Sequence, residues 1–308
     1  MPMLVLNESD IDTLIDIDFA IAAMRDLMDR TRRGDIVVIP RQRLEDGPMY
    51  LAMMAAVDRQ SHLFSAKLYT TGTRRGSFKV LLWDSISGSL LAMLDANRLG
   101  QLRTGAISAV ATDRLSRPDA DTLLLIGTGY QAETQVLAIS RVRSLKTVYV
   151  HSRHAEHRAA FLSRMRPQIP ENITLIPVDT VQRYAERSHI IVTATTAHDP
   201  VIKGQWLRPG THVNAVGSNH PTDHELDWEA VQKASMIITD HVEGARLESG
   251  DLILGLAESD WNRVTSLDQC PPRSDPEAIT LFISQGIESE DLVMAQYVLQ
   301  RWSQHQIP

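Results

Sequence analysis

The sequence predicts an α/β chain in two parts, a mixed α+β N-terminal half followed by a parallel sheet wrapped in helices. Three observations carry this. From residue 121 onward short apolar runs alternate with helix-like segments, the rhythm of a parallel sheet with covering helices. Before residue 96 the runs are short, partly alternating and punctuated by Gly or Pro, as in a mostly antiparallel sheet. The 308 residues, 43% of them hydrophobic, suffice for two cores.

The elements follow in order. Residues 8–33 read as one acid-capped amphipathic helix, with Ile11, Leu14, Ile15, Ala22, Leu27 and Met28 near helical spacing and Gly34 as its stop. Segments 36–44, 50–57, 62–71, 77–84 and 89–95 read as strands, with "SISGS" turning between the last two. A helix covers about 98–115 and ends before "RPDAD". Strands then appear at "TLLLIG", "TVYVHS", "ITLIPV", "HIIVTAT", "THVNAVG" and "MIITD", with helices at 130–142, 154–166, 179–187 and 226–234 between them. A last helix, 288–304, follows the Pro-rich loop 271–276, which lets it return to the N-terminal half.

Bulk properties exclude several classes. A net charge of −7, from 31 basic and 38 acidic side chains, offers no general attraction to nucleic acid. No apolar run approaches the ~18 residues of a membrane span, and the acidic start does not resemble a targeting peptide, so a cytoplasmic, unanchored protein is expected. Cys270, the single cysteine, is expected to be inert in a surface loop. No metal site is expected. His151 belongs to a strand end while His154 and His157 belong to a helix, Pro221 separates His220 from His224, and no cysteine or carboxylate completes either set.

The stretch "LLLIGTGYQA", residues 123–132, is a glycine turn between a strand and a helix, with a second strand ending about twenty residues on, as a dinucleotide-binding unit requires. Gly127 permits the turn, Gly129 lets a pyrophosphate approach the backbone, and Ala132 lets the helix lie close to the strand. Thr128 and Tyr130 complete the cradle, and the helix start adds partial positive charge. An acid after the second strand would accept from a ribose 2′-hydroxyl and repel a 2′-phosphate. This chain has Ser152, Arg153 and His154 instead, which favours NADP(H) while admitting NAD(H).

Three cations stand where a sheet does not need them: Arg41 in "IPRQRL", Lys67 in "FSAKLYT" and Arg103 in "LGQLRTGA". A lysine in an otherwise almost uncharged strand either snorkels at an edge or faces an anion. Arg43 competes with Arg41 for the same reading.

These segments together, "PRQR", "AKL", "NRLGQLRTGAISAVAT", "IGTGYQAE", "NAVGSNHPTDHELD", "ESGDL" and "FISQGIESEDLVMA", resemble the ornithine cyclodeaminase/mu-crystallin family in order and over nearly the whole chain. The resemblance implies a homodimer, with 1–114 and 287–308 forming a substrate and dimerisation domain and 115–286 a Rossmann domain. It implies that Arg41 and Arg103 grip a substrate carboxylate beside an active-site Lys67. It also implies that Thr104, Gln131, Ser284 and Gly286 lie near the cofactor. Glu248 and Asp251 of "ESGDL" match a family loop and are expected to be structural.

One departure matters. Family cyclodeaminases carry an aspartate where this chain has Asn219, and an amide cannot take a proton at neutral pH. The expected chemistry is therefore NAD(P)H-dependent reduction of an α-imino acid, or of the imine of a 2-oxo acid, to an L-amino acid. Lys67 or His220 would hold the imine proton, unless His220 packs against its own backbone. Arg43, Arg98 or His220 are candidates to meet a second carboxylate. The rival readings are cyclodeamination of a diamine and non-catalytic NADPH binding.

Overall fold

The computed structural model describes residues 3–72 and 76–305. They form two compact units, one running to Arg103 and resuming at Gly286, the other spanning Thr104–Gln285.

The first unit begins with β1 (Leu4–Leu6), α1 (Glu8–Leu14) and α2 (Ile17–Arg33). The single helix expected over 8–33 is thus two, because Ile15 is extended and Asp16 caps a new start by accepting from Phe19 N. Strands β2 (Ile36–Asp46), β3 (Met49–Asp58), β4 (Leu63–Gly72), β5 (Phe78–Asp84) and β6 (Leu90–Asp95) form an antiparallel meander. The three-residue β1, invisible to pattern reading, adds parallel to β6, giving the order β1-β6-β5-β4-β3-β2. The C-terminal helix, Glu288–His305, packs across β2, β3, β4 and β5 and buries Leu292, Val293, Met294, Ala295 and Val298. Further along it, Gln296 accepts from Arg30, whose guanidinium also pairs with Asp58 at 2.5 Å.

Strand alternation gives this sheet two unlike faces. Ser65, Lys67 and Tyr69 of β4 point to the buried side, while Phe64, Ala66 and Leu68 point away from it.

Helix α3 (Asn97–Leu115) crosses from one unit into the other, so the first boundary lies inside it rather than at the residue 114 expected from sequence. The reason is close packing from Gly105 onward: a Cβ there would sit 2.5 Å from Thr134 O.

The second unit continues with β7 (Thr122–Ile126), α4 (Tyr130–Val142), β8 (Thr147–His151), α5 (Ala155–Met165), β9 (Thr174–Val178), α6 (Gln182–Ala185), β10 (Ile190–Thr193) and β11 (His212–Ala215). Then come α7 (Trp228–Lys233), β12 (Met236–Thr239), α8 (Val242–Glu248), α9 (Gly250–Gly255), β13 (Val264–Ser266) and β14 (Thr280–Ile283). All pairings are parallel, in the order β13-β12-β14-β11-β10-β7-β8-β9. The chain leaves β7 toward β8 and β9, then returns to β10 on the other side. That reversal makes the carboxyl ends of β7 and β10 the switch point of a doubly wound Rossmann sheet. Cys270, expected in a surface loop, is buried instead, its backbone N–H tied back to Ser266 O.

Candidate functional site

At the switch point Gly127 has φ +108° and its N–H donates to His151 O at 2.9 Å. A Cβ here would lie 2.2 Å from Ala194 O, just past β10, so only glycine lets the two strand ends approach. Thr128 follows, and Gly129 is the N-cap of α4 with open space around the position its Cβ would take. Ala132 is fully buried, Tyr130 is exposed, and Gln131 Oε1 is enclosed without a hydrogen bond. Backbone N–H groups of a first helical turn have no intrahelical acceptor, so an open turn of this shape fits a pyrophosphate.

Beyond β8, Ser152 Oγ donates to His154 O at 3.1 Å, and Arg158, not singled out from the sequence, donates to Ser152 O at 2.5 Å. Arg153 and His154 are exposed. His154 lies edge-on to His157, with ring centroids 5.0 Å apart.

Other candidates lie at the same carboxyl edge. Past β14, Ser284 Oγ donates to Asp240 Oδ2 at 2.9 Å, and Gln285 N donates to the same oxygen at 2.8 Å. Past β11, Gly217 N donates to Glu225 Oε2, while Glu225 Oε1 accepts from Thr195 N and Oγ1. Asp251 holds the Glu225 and Leu226 N–H groups through Oδ1, each at 2.8 Å. These two carboxyls therefore fix the ends of the loops after β10 and β11. Burial and the neighbouring Glu225 charge raise Asp251 to about 7. Asn219 is half-buried. His220 is exposed, donates its backbone N–H to Ser218 Oγ at 3.3 Å, and shares a 2.9 Å contact between Nδ1 and Thr222 Oγ1. The histidine is thus engaged by its own loop. Thr104 is buried on α3, its carbonyl accepting from Ser108 Oγ and Gln135 Nε2.

In the first unit the three odd cations come together. Lys67, reaching up from β4, has its Nζ 2.8 Å from Asp291 Oδ1. Arg103, at the end of this unit's part of α3, donates from Nη1 to Glu290 Oε2 at 2.7 Å and brings Nε to 3.6 Å from Asp291 Oδ2. Arg41 donates from Nη2 to Gly286 O at 3.0 Å. Gly286 has φ +71°, and a Cβ on it would stand 2.7 Å from Arg103 Nη1, so the glycine lets Arg41 and Arg103 converge on one short segment. All three cations are buried. Arg43 is only half-buried, with its guanidinium 5.9 Å from the Tyr50 ring. Arg98 pairs with Asp12.

Burial, with the Arg103 charge beside it, lowers the Lys67 pKa despite Asp291. Glu288, fully enclosed in the first turn of the C-terminal helix, is raised well above an ordinary carboxylate, first by burial and then by Asp291. Sequence reading missed Glu288, Glu290, Asp291, Asp240 and Glu225 as site residues. The available signal was "ESED" directly after Gly286, which also reads as plain helix-start acids.

Residues 2–306 match the model of the ornithine cyclodeaminase/mu-crystallin family. The chain belongs to this family. A ketimine reductase mu-crystallin from Mus musculus is 33% identical to it over 261 residues, covering 82% of this chain and 81% of the mouse protein. A Δ1-pyrroline-2-carboxylate reductase from Bacillus cereus is 35% identical over 233 residues, covering 72% and 70% of the two chains. The solved structure of the Thermococcus litoralis Δ1-pyrroline-2-carboxylate reductase in complex with NADH and L-proline matches with a TM-score of 0.93 and 29% identity, over 98% of each chain. Among the family member's described residues, no helix is long and apolar enough to cross a membrane.

Proposed function

We propose that this protein reduces an α-imino acid, or the imine of a 2-oxo acid, to the L-amino acid with NAD(P)H. The observation that carries the reading is the convergence of Arg41, Lys67 and Arg103, from three different elements, in one buried cluster. Burying three cations is costly unless anions face them, and a ligand carboxylate would complete the set. The family relatives named as ketimine and pyrroline-carboxylate reductases supply the reaction class.

When bound, the nicotinamide supplies the hydride. The chain's own residues do the rest. Arg41 and Arg103 grip the carboxylate, as planar guanidinium groups do best. Lys67 carries the proton that keeps the imine nitrogen cationic, and its lowered pKa eases release of that proton. Asn219 is unable to act as a base, which disfavours deamination. His220, held by Ser218 and Thr222, is the second candidate for the proton.

For the cofactor we favour NADP(H): Ser152, Arg153 and Arg158 stand after β8, where an acid would repel the 2′-phosphate. Thr128, Gly129, Tyr130, Gln131 and Ala132 would hold the pyrophosphate, with Thr104, Ser284 and Gly286 toward the nicotinamide. We further propose a homodimer. The outer sheet face presents exposed Val37 and Ile39 of β2 beside Phe64 and Leu68 of β4, in paired rows Val37-Val57-Phe64 and Ile39-Ala55-Ala66. An apolar face of this kind calls for cover.

The test is oxidation of NADPH and NADH by the purified protein with Δ1-pyrroline-2-carboxylate, its six-membered homologue, iminosuccinate, and 2-oxo acids with ammonia or methylamine. Turnover with at least one imine is expected. Release of ammonia from a diamine instead, or NADPH binding with no turnover on any of them, would overturn the reading.

A further inference from the structure

The hydrogen bonds around His220 run in one direction, and that direction decides where its ring proton sits. His220 and Asp223 are brought together by a β-turn in which Asp223 N donates to His220 O at 3.1 Å and Pro221, with its fixed φ, takes the first central position. The turn is pressed against the start of α9, where a Cβ on Gly250 would stand 2.1 Å from Asp223 O. On this turn Asp223 Oδ1 accepts twice, from His198 Nδ1 at 2.8 Å and from Thr222 Oγ1 at 3.1 Å. Thr222 Oγ1 in turn lies 2.9 Å from His220 Nδ1.

A threonine hydroxyl has one proton to give, and an ionised carboxylate can only accept. Asp223 is held below the ordinary carboxylate range: burial works against this, but the His198 and Thr222 hydrogen bonds and the His198 charge outweigh it. Between a carboxylate and a neutral imidazole nitrogen, the charged acceptor takes the proton. Thr222 therefore meets His220 with a lone pair, and the 2.9 Å contact is a hydrogen bond only when Nδ1 carries the proton. With the proton on Nε2 instead, two lone pairs would face each other at that distance.

We propose that Thr222 and Asp223 are positioning residues for His220: they hold one ring proton on Nδ1 and so make Nε2 the nitrogen that hands a proton to the imine and takes one back from solvent. The proposal rests on the reading of His220 as a carrier of the imine proton. In the step itself the protonated ring gives up its Nε2 proton, the imine nitrogen's lone pair forms the new N–H bond, and the ring is left neutral with its Nδ1–H still on Thr222. The same three hydrogen bonds serve both charge states, so the loop need not rearrange between them.

The test is the long-range proton–nitrogen NMR spectrum of the full-length protein with labelled histidine rings, recorded at about pH 9, where imidazoles are neutral, with His220→Gln to assign the signals. Wild-type His220 should show the Nδ1–H pattern. Asp223→Ala frees the Thr222 proton to turn toward His220, and Thr222→Val removes the link, so both should show the Nε2–H pattern that histidine prefers on its own. A wild-type ring in the Nε2–H form overturns the proposal, as does an Nδ1–H form that persists in either variant; should one variant fail to fold, the other decides. With an imine that turns over, Asp223→Ala should lower kcat by about tenfold or more while KM stays within about twofold, and the same change made in His220→Gln should lower kcat no further. Losses that multiply, or an unchanged kcat beside a swapped tautomer, overturn the role in proton transfer. Failure of the imine reading is seen separately, as no turnover by the wild type, and the ring tautomer is read from the spectrum in either case.

Discussion

Lys67 Nζ and Asp291 Oδ1 stand 2.8 Å apart although 224 residues separate them, and both side chains are enclosed. The pair ties β4 to the C-terminal helix, so the lysine proposed to face the substrate depends on a partner from the far end of the chain. Removing one member of a buried pair leaves the other charged and unpaired, which costs about 3–5 kcal/mol. Asp291→Ala should therefore lower unfolding stability by about that amount in urea melts, while Asp291→Asn, which keeps an acceptor, should lose less. Equal, small losses in both would mean the pair contributes little.

Gly127 is the position where the nucleotide turn tolerates least. Gly127→Ala must accommodate φ +108° and a contact of 2.2 Å with Ala194 O. Strained backbone of this kind costs of order 1–3 kcal/mol before the clash is relieved. The expected outcome is a lowered melting temperature and loss of NADPH binding, followed by quenching or enhancement of cofactor fluorescence. Wild-type affinity in the variant would count against this turn as the cradle.

Cofactor choice is tested at the end of β8. Ser152→Asp places an anion where a 2′-phosphate is proposed to sit, beside the 2′-hydroxyl of NADH. The preference for NADPH over NADH should fall by at least about tenfold in kcat/KM, the scale of one charge-assisted hydrogen bond. An unchanged ratio would place the phosphate elsewhere.

The outer sheet face gives a fourth expectation. Ile39→Glu with Phe64→Glu puts two charges into the exposed apolar rows of β2 and β4 without touching the buried side that carries Lys67. Sedimentation should show the wild type as a dimer and the double variant as a monomer. A wild-type monomer would remove the need for a partner on this face.

Much of the architecture was legible because it is written in periodicity. Five of the first unit's six strands, β2 to β6, and the β7–α4–β8 nucleotide unit fall close to their expected limits, since alternation and glycine turns are local signals. What escaped was set by tertiary partners. The short β1 exists because β6 offers an edge, and the break at Ile15 is decided by the Asp16 cap. The same holds for the site. Lys67 stood out because it interrupts an apolar strand, whereas Glu288, Glu290 and Asp291 looked like ordinary acids at a helix start. Their burial comes from the sheet they meet, which no local pattern records.

Asp251 offers a pH test of the loops that follow β10 and β11. Its pKa is about 7 in the fold against 3.8 for an ordinary aspartate, raised by burial and then by Glu225. The native state thus binds more protons than the unfolded chain between those two values. Stability falls as pH rises from about 4 to about 7 and levels off above, with the full change on the order of a few kcal/mol. Asp251→Asn removes this titration yet keeps an Oδ1 able to accept from Glu225 N and Leu226 N. The readout is the slope of unfolding free energy against pH rather than stability at one pH, because the new amide needs its own partner. A slope in the variant equal to that of the wild type would assign the pH dependence to other groups. A flattened slope would show that a proton on Asp251 helps to hold Glu225, and through Glu225 the Gly217 and Thr195 backbone beside Asn219 and His220.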